Sequence, residues 1–288
     1  MLRRTPIGLL VFLGACADDL SPTSIPAGAE FGDPFAHVAL GDPECLTRAP
    51  TEAEIASLAG PATVWGALRA AGSVAIPVDF HIITSGGVGD VSAQAAAQVA
   101  ALNDGYNGGG FGGAATPFTF VLRTVQVVEN PTWFTTCLEA SATIGAALRT
   151  GGKETLNVFT CNSSYAGNGW SFYPWDAPRA DDGIWIRYSR ITDATPGMLG
   201  TTAIHEAGHW LGLYHTFNGG CNKTGDYVND TPPEMDATTG CPASKDSCRS
   251  KAGLDPIHNF MDYADDTCRW DFTAGQATRM DTSHAQYR

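Results

Sequence analysis

A chain of 288 residues, 43% hydrophobic and only 16% charged, is long enough to bury a sizeable core and too apolar to stay unfolded. Its formal net charge of -13 would repel phosphate, which argues against nucleic acid as a partner. No stretch beyond the N-terminus approaches the length of a membrane-spanning helix.

Residues 1–16 read as an export signal. Arg3 and Arg4 form the charged region, Ile7 to Leu13 a short apolar stretch, and Leu13-Gly14-Ala15-Cys16 the small-residue end. A secreted or extracellular product is therefore expected. The same LGAC resembles a bacterial lipobox, in which Cys16 becomes a lipidated first residue and a tether to the cell envelope. Ordinary cleavage near Ala15 or Ala17 is the alternative. Ala17 to Ala36 is rich in Pro, Ser, Gly and Asp and reads as a linker. Asn162, Asn222 and Asn229 open sequons that matter only in a eukaryotic host.

Thr51 to Ala71 is helix-like, opened by a capping box of Thr51 and Glu54 and split at Pro61. Val74, Ile76, Val78, Phe80 and Ile82 alternate as a half-buried strand. An alanine-rich helix follows from Val91 to Leu102, a second alternating strand from Phe118 to Val128, and a helix from Leu138 to Leu148. Leu156 to Thr160 is a short buried strand, Gly167 to Trp175 an aromatic, glycine-punctuated stretch, and Gly183 to Tyr188 another strand. Strands and helices alternate in this first half, while the second half reads mainly as loops. That pattern gives an α+β fold with an α/β-like N-terminal half and a twisted mixed sheet.

The amphipathic run Met198 to Ile204 leads into His205–His215, HEAGHWLGLYH. On a helix His205 and His209 are four positions apart and face one ion, with Glu206 beside the open side of that ion. Gly212 lets the chain turn sharply and return His215 as a third ligand. Three histidines leave the fourth position of a tetrahedral zinc to water, and Glu206 accepts its proton.

With these residues in hand the chain resembles the metzincin clan of metalloproteases, and within it the pappalysin-like family with secreted bacterial and fungal members. HTFNGGC at 215–221, GDYVNDTPPE at 225–234, DSC at 246–248, DPIHNFMDYADDTC at 255–268 and FTAGQATRM at 272–280 carry the likeness, with LNVFTC at 156–161 upstream. The resemblance implies a zinc-dependent endopeptidase acting on proteins or peptides. It divides the chain into a leader at 1–16, a linker and pro-segment at 17–72, and a catalytic domain at 73–288. Met261 is implied beneath the zinc histidines. Tyr263 is implied beside the metal, donating its hydroxyl to the oxyanion. The stretch 167–175 is implied to contain the edge strand facing substrate, and Asp262, Asp265 and Asp266 to line a pocket favouring a basic side chain after the cut. Calcium is implied near Asp226, Asp230, Thr231 and Glu234, an oxygen-rich loop; a solvated acidic loop is the alternative.

Of the eight cysteines, Cys16 leaves with the leader or is lipidated, so an odd number remains. Spacing leaves three pairings open for Cys221, Cys241, Cys248 and Cys268. The resemblance favours Cys221 with Cys248 and Cys241 with Cys268, after which Cys137 pairs with Cys161 and Cys45 stands alone; a second zinc on four of them is the alternative. Cys45 lies upstream of the first catalytic strand, where its thiolate could hold the enzyme latent, although Pro43-Glu44-Cys45-Leu46 lacks the arginine and glycine of the family's Arg-x-Cys-Gly. His81 reads as a strand-face residue, and no motif places His258 or His284. A zinc hydrolase of a non-peptide bond would not share Met261 and the downstream segments. A binding protein with an inactivated protease fold would not keep Glu206 and every histidine.

Overall fold

The computed structural model describes residues 44–58, 67–109, 112–164, 167–195, 197–221 and 225–288. The expected leader, Cys16, the linker, Pro61 and Asn222 lie outside them.

Helix α1 (Glu52–Leu58) precedes the sheet. Then come β1 (Val74–Thr84), α2 (Ala95–Tyr106), β2 (Phe118–Glu129), α3 (Pro131–Thr135), α4 (Ser141–Leu148), β3 (Leu156–Cys161), β4 (Gly169–Ser171) and β5 (Ile184–Arg187). The strands form one mixed sheet in the order β2-β1-β3-β5-β4. All neighbours are parallel except β4, which runs antiparallel to β5 and forms one edge.

Side-chain alternation splits the sheet between two cores. Ile76, Val78, Phe80 and Ile82 of β1 point to one face, where they meet α2 and the helix α5 (Thr201–Trp210). All four are fully buried, worth about 1.5–3 kcal/mol each. Ile83, Phe159, Cys161 and Trp185 face the other way, against Phe134 and the α4 residues Ile144 and Leu148. Here β1 departs from the half-buried strand its pattern suggests: from Val78 onward every residue is buried. It is an interior strand with helices on both faces, and its polar positions Asp79 and His81 find partners inside. His81 Nε2 lies 2.8 Å from Asn157 Oδ1, and its ring stacks on Phe159, so it is a strand-face residue.

Three disulfides close the chain, Cys137–Cys161, Cys221–Cys248 and Cys241–Cys268, and Cys45 is free and buried. No second zinc is built from these cysteines. The C-terminal half is loop-rich, as expected, until α6 (Ala274–Tyr287), a helix that the sequence reading did not draw. Its capping box was in view: Thr273 Oγ1 accepts from Gln276 N, and Gln276 Oε1 accepts from Thr273 N.

Candidate metal centre

Helix α5 starts at Gly200, whose φ of 77° suits a residue without Cβ. The Asp266 carboxylate caps this end from a distant loop, accepting from Leu199 N at 2.6 Å and from the Thr201 hydroxyl. A negative charge there also complements the helix dipole. Arg269 Nη2 donates to Thr201 Oγ1 at 2.9 Å and completes the clamp. Every residue of α5 is buried. The helix ends at Gly212, with φ 97°, and the chain doubles back. Arg279 of α6 fixes that turn, donating from Nε to the Gly212 carbonyl at 2.8 Å. Arg288 Nη2 donates to the Trp210 carbonyl at 3.1 Å.

These constraints bring His205, His209 and His215 into one buried cluster. His209 Nε2 lies 3.1 Å from His205 Nε2 and 3.0 Å from His215 Nε2. The opposite ring nitrogens of the first two are engaged by main-chain carbonyls, His205 Nδ1 by Phe260 at 2.7 Å and His209 Nδ1 by Leu213 at 2.8 Å. A carbonyl accepts only, so each Nδ1 carries the proton and each Nε2 a lone pair. Two lone pairs facing at 3.1 Å repel unless a cation lies between them, and the donor set therefore fits a metal ion. Burial, together with the neighbouring histidines, pushes His205 and His215 well below the usual imidazole value, and burial takes His209 down to about 4. Neutral imidazole is the form that ligates. The Cys45 sulfur joins the cluster: all four ligand atoms lie within 4.8 Å of one another.

Glu206 shares the helix and is fully buried. Its Oε2 accepts from the Thr47 hydroxyl at 3.0 Å, and the carboxyl group has the Cys45 thiol as neighbour. Burial raises its carboxyl to about 8, against the pull of Cys45 and Thr47. Gly169 of β4 makes this possible, since a Cβ there would sit 3.0 Å from Glu206 Oε1. Tyr263 comes in from the loop below. Its hydroxyl is 3.0 Å from His215 Nε2 and donates to the Cys45 carbonyl at 3.5 Å. Met261 is fully buried under the same helix, its carbonyl accepting from Thr216 N at 3.2 Å.

Residues 44–48 form a strap along β4. Leu46 N donates to the Gly169 carbonyl at 2.8 Å, Asn168 N donates to the Glu44 carbonyl at 3.1 Å, and Cys45 bridges Gly169 in parallel. The strap's route across the cluster, and the part Thr47 plays in it, were not legible in the sequence.

Among the described residues, those expected to hold calcium form no group of three or more acidic ligands close enough to share an ion. Asp230 accepts from Thr273 Oγ1 and Gly275 N at the start of α6. Asp226 is buried beside Val228 N, and burial takes its carboxyl up to about 7. Glu234 is buried among carboxylates of its own kind, Asp262 and Asp255, which with desolvation push it up. Lys245 supplies a cation there, its Nζ 3.7 Å from Glu234 and 3.5 Å from Asp255. Among the described residues, the four-residue cluster at Cys45 is the group whose geometry suits a metal ion, and calcium has no support. Asp262 and Asp266 are likewise committed, to Thr238 N and to the start of α5. His258 stacks on Trp270 and His284 lies beside Phe118, both outside the cluster.

Residues 152–285 match the family described as pregnancy-associated plasma protein-A, a peptidase family. An extracellular metalloprotease of Sordaria macrospora is 37% identical over 85% of this chain and 88% of its own length. One from Neurospora crassa is 36% identical over the same shares. Among solved structures, mirolysin in complex with a compound superposes with a TM-score of 0.63 at 25% identity, covering 73% of this chain and 91% of that one. Promirolysin of Tannerella forsythia gives 0.63 at 25%, covering 75% and 84%. Fold, histidine cluster and relatives together define a metalloprotease, a hydrolase of the metzincin type. The chain belongs to the pappalysin family of these enzymes, the group of extracellular metalloproteases to which its relatives are assigned.

Proposed function

We propose that this protein is an exported zinc endopeptidase, made latent by its own strap. The observation that carries the reading is the convergence of three histidine Nε2 atoms on one point, with the Glu206 carboxylate on the same helix. His205, His209 and His215 would hold the ion. Zinc, when bound, supplies Lewis acidity, polarising a peptide carbonyl and lowering the pKa of a water. Glu206 accepts the proton of the attacking water and returns it to the departing amine. The Tyr263 hydroxyl, held beside His215, donates to the carbonyl oxygen as that oxygen gains charge. Met261 supports the histidines by packing alone.

Two contacts support latency. The Cys45 thiol stands within the histidine cluster as a fourth donor, and the Thr47 hydroxyl engages Glu206. Cleavage between Cys45 and Val74 would free both, leaving 73–288 as the mature catalytic domain. The extracellular relatives and the three disulfides favour export, since such bonds persist in oxidising compartments. A lipid tether on Cys16 is the cell-envelope version of this reading, and the mass of the mature N-terminus decides it.

A casein zymogram with and without a zinc chelator is the test. Clearing that disappears with chelator and returns with added zinc supports the reading; clearing indifferent to chelator ends it.

A further inference from the structure

From Cys45 the strap continues to Arg48, and the place where this side chain lands belongs to the body of the protein. Arg48 Nη2 lies 2.7 Å from Asp176 Oδ1, and the guanidinium sits over the Tyr173 ring, 5.0 Å from its centroid. The Tyr173 hydroxyl donates to the Arg48 carbonyl at 3.0 Å. Trp175 stacks on Tyr173 with centroids 4.9 Å apart and backs the pocket.

Asp176 is prepared for this cation without help from the strap. Residues 174–176 form a single tight turn, in which Asp176 Oδ2 accepts from Tyr173 N at 3.1 Å and Asp176 N donates to the Tyr173 carbonyl at 2.9 Å. The main chain therefore occupies one carboxylate oxygen and aims the other outward. The second acid on Arg48, Glu54, comes from α1 and so belongs to the same upstream stretch as the strap. The nearby arginines have other employment: Arg279 holds the Gly212 and Asp226 carbonyls, and Arg288 holds Asp182. Once the strap leaves, Asp176 faces an aromatic wall with no cation of its own. That wall abuts the metal centre, because the Tyr173 ring meets the His209 ring edge-on with centroids 5.7 Å apart.

We infer that the pocket of Tyr173, Trp175 and Asp176 is a substrate subsite for a guanidinium side chain, filled in the latent protein by Arg48. This rests on the reading of the strap as a removable occupant of the cleft. Arg48 follows Cys45 by three residues along β4, so the preferred arginine lies about two to four residues from the cut, on the Tyr173 side. Arginine is favoured over lysine because a planar cation both pairs with the carboxylate and stacks on the ring.

The first test uses the full chain and needs no catalysis. Arg48→Ala empties the pocket while the strap remains, and Nα-acetyl-arginine amide is titrated against it by tryptophan fluorescence and by saturation-transfer NMR. The expected result is millimolar binding to Arg48→Ala, at least tenfold weaker binding to the natural chain, and at least tenfold weaker binding to the Arg48→Ala/Asp176→Asn double variant. Equal binding to all three overturns the subsite. The second test uses the full chain activated by limited proteolysis, with peptides carrying Arg, Lys or Ala at each position near the cut. A ratio of kcat/KM for Arg over Ala of ten or more, falling toward one in Asp176→Asn and recovering in Asp176→Glu, supports the subsite. A ratio unchanged by Asp176→Asn overturns it. Failure of the activated natural chain to cleave any peptide would strike the proteolytic reading and leave the binding result standing.

Discussion

Gly208 and Met261 meet at a distance that leaves no room for a methyl group: a Cβ on Gly208 would stand 2.5 Å from the Met261 sulfur. The methionine under the histidine helix thus requires the glycine between the two histidines above it. Overpacking a well-filled site costs about 1–3 kcal/mol. Gly208→Ala should lower the urea midpoint accordingly and loosen the helix on which His205 and His209 ride. Zinc content after dialysis against a weak chelator should fall with it, whereas Met261→Leu, similar in volume, should keep both. Unchanged stability in Gly208→Ala would show that the sulfur moves aside freely.

Glu206→Ala is expected to reduce peptide cleavage by at least about a hundredfold, the lower end of what a positioned acid–base contributes. Its zinc content should stay at that of the natural protein, because in the proposed mechanism the glutamate moves protons and is not a ligand. His215→Ala should do the reverse in the metal assay, losing zinc readily on dialysis. Loss of metal from the Glu206 variant would reassign its role.

The proposed latency would rest on two separable contacts. Cys45→Ser removes the sulfur from the histidine cluster, and Thr47→Val removes the hydroxyl from Glu206 while keeping the volume. Each purified full-length variant should show activity before any cleavage, and the double variant more than either. The free state of Cys45 already rules out its pairing with Cys137 or Cys161. Latency identical to the natural chain in all three variants would remove the strap from the mechanism.

Gly212→Ala places a side chain at φ 97° and brings its Cβ within 2.5 Å of the Ser283 hydroxyl. Strain of about 1–3 kcal/mol is expected, concentrated at the turn that returns His215. The readout is an earlier melting transition together with faster zinc loss. Ser283→Ala in the same background should relieve the clash and leave the backbone strain.

Stability should depend on acid through Asp79. Burial alone would raise this carboxyl, but bonds from Arg123, Thr150 and Thr124 outweigh it and hold the value at about 2. The folded value lies below the unfolded one, so the stabilisation is complete above about pH 4 and is lost as the pH falls through about 2. Since Arg123 is half exposed, the effect is about 1–2 kcal/mol after screening. Asp79→Asn should lower stability at neutral pH and flatten that part of the urea-midpoint profile.

Much of the centre was legible because its residues are close in sequence. Five of the eleven positions from His205 to His215 carry the pattern, and a helix followed by a glycine turn is enough to close it. Strand positions were legible for the same local reason: β1 and β2 announce themselves by alternation, and β3 and β5 as short apolar runs that are almost wholly buried. What failed was everything set by distant contacts. Asp266 caps a helix 65 residues away, and nothing in the DD of 265–266 distinguishes a cap from a specificity pocket. The acidic loop at 226–234 has the composition of a calcium site, yet its side chains turn to α6, to Val228 and to Lys245. Thr47 looks like any threonine until β4 lays the strap beside Glu206. Helix α6 had a readable capping box but no strong apolar stripe, since its buried face includes Gln276, Arg279 and Asp281.

The two disulfides of the lower half are interlaced: Cys241 lies inside the loop closed by Cys221 and Cys248, and Cys268 lies outside it. Neither loop can swing away while the other is closed, and between them they anchor the chain on both sides of the segment carrying Met261 and Tyr263. The floor of the cleft is thus fastened by oxidation. On the proposed reading of export, the reducing interior of the cell would leave the histidines on an unfastened floor, and competence to cut proteins would arrive only once the chain has left the proteins it could harm.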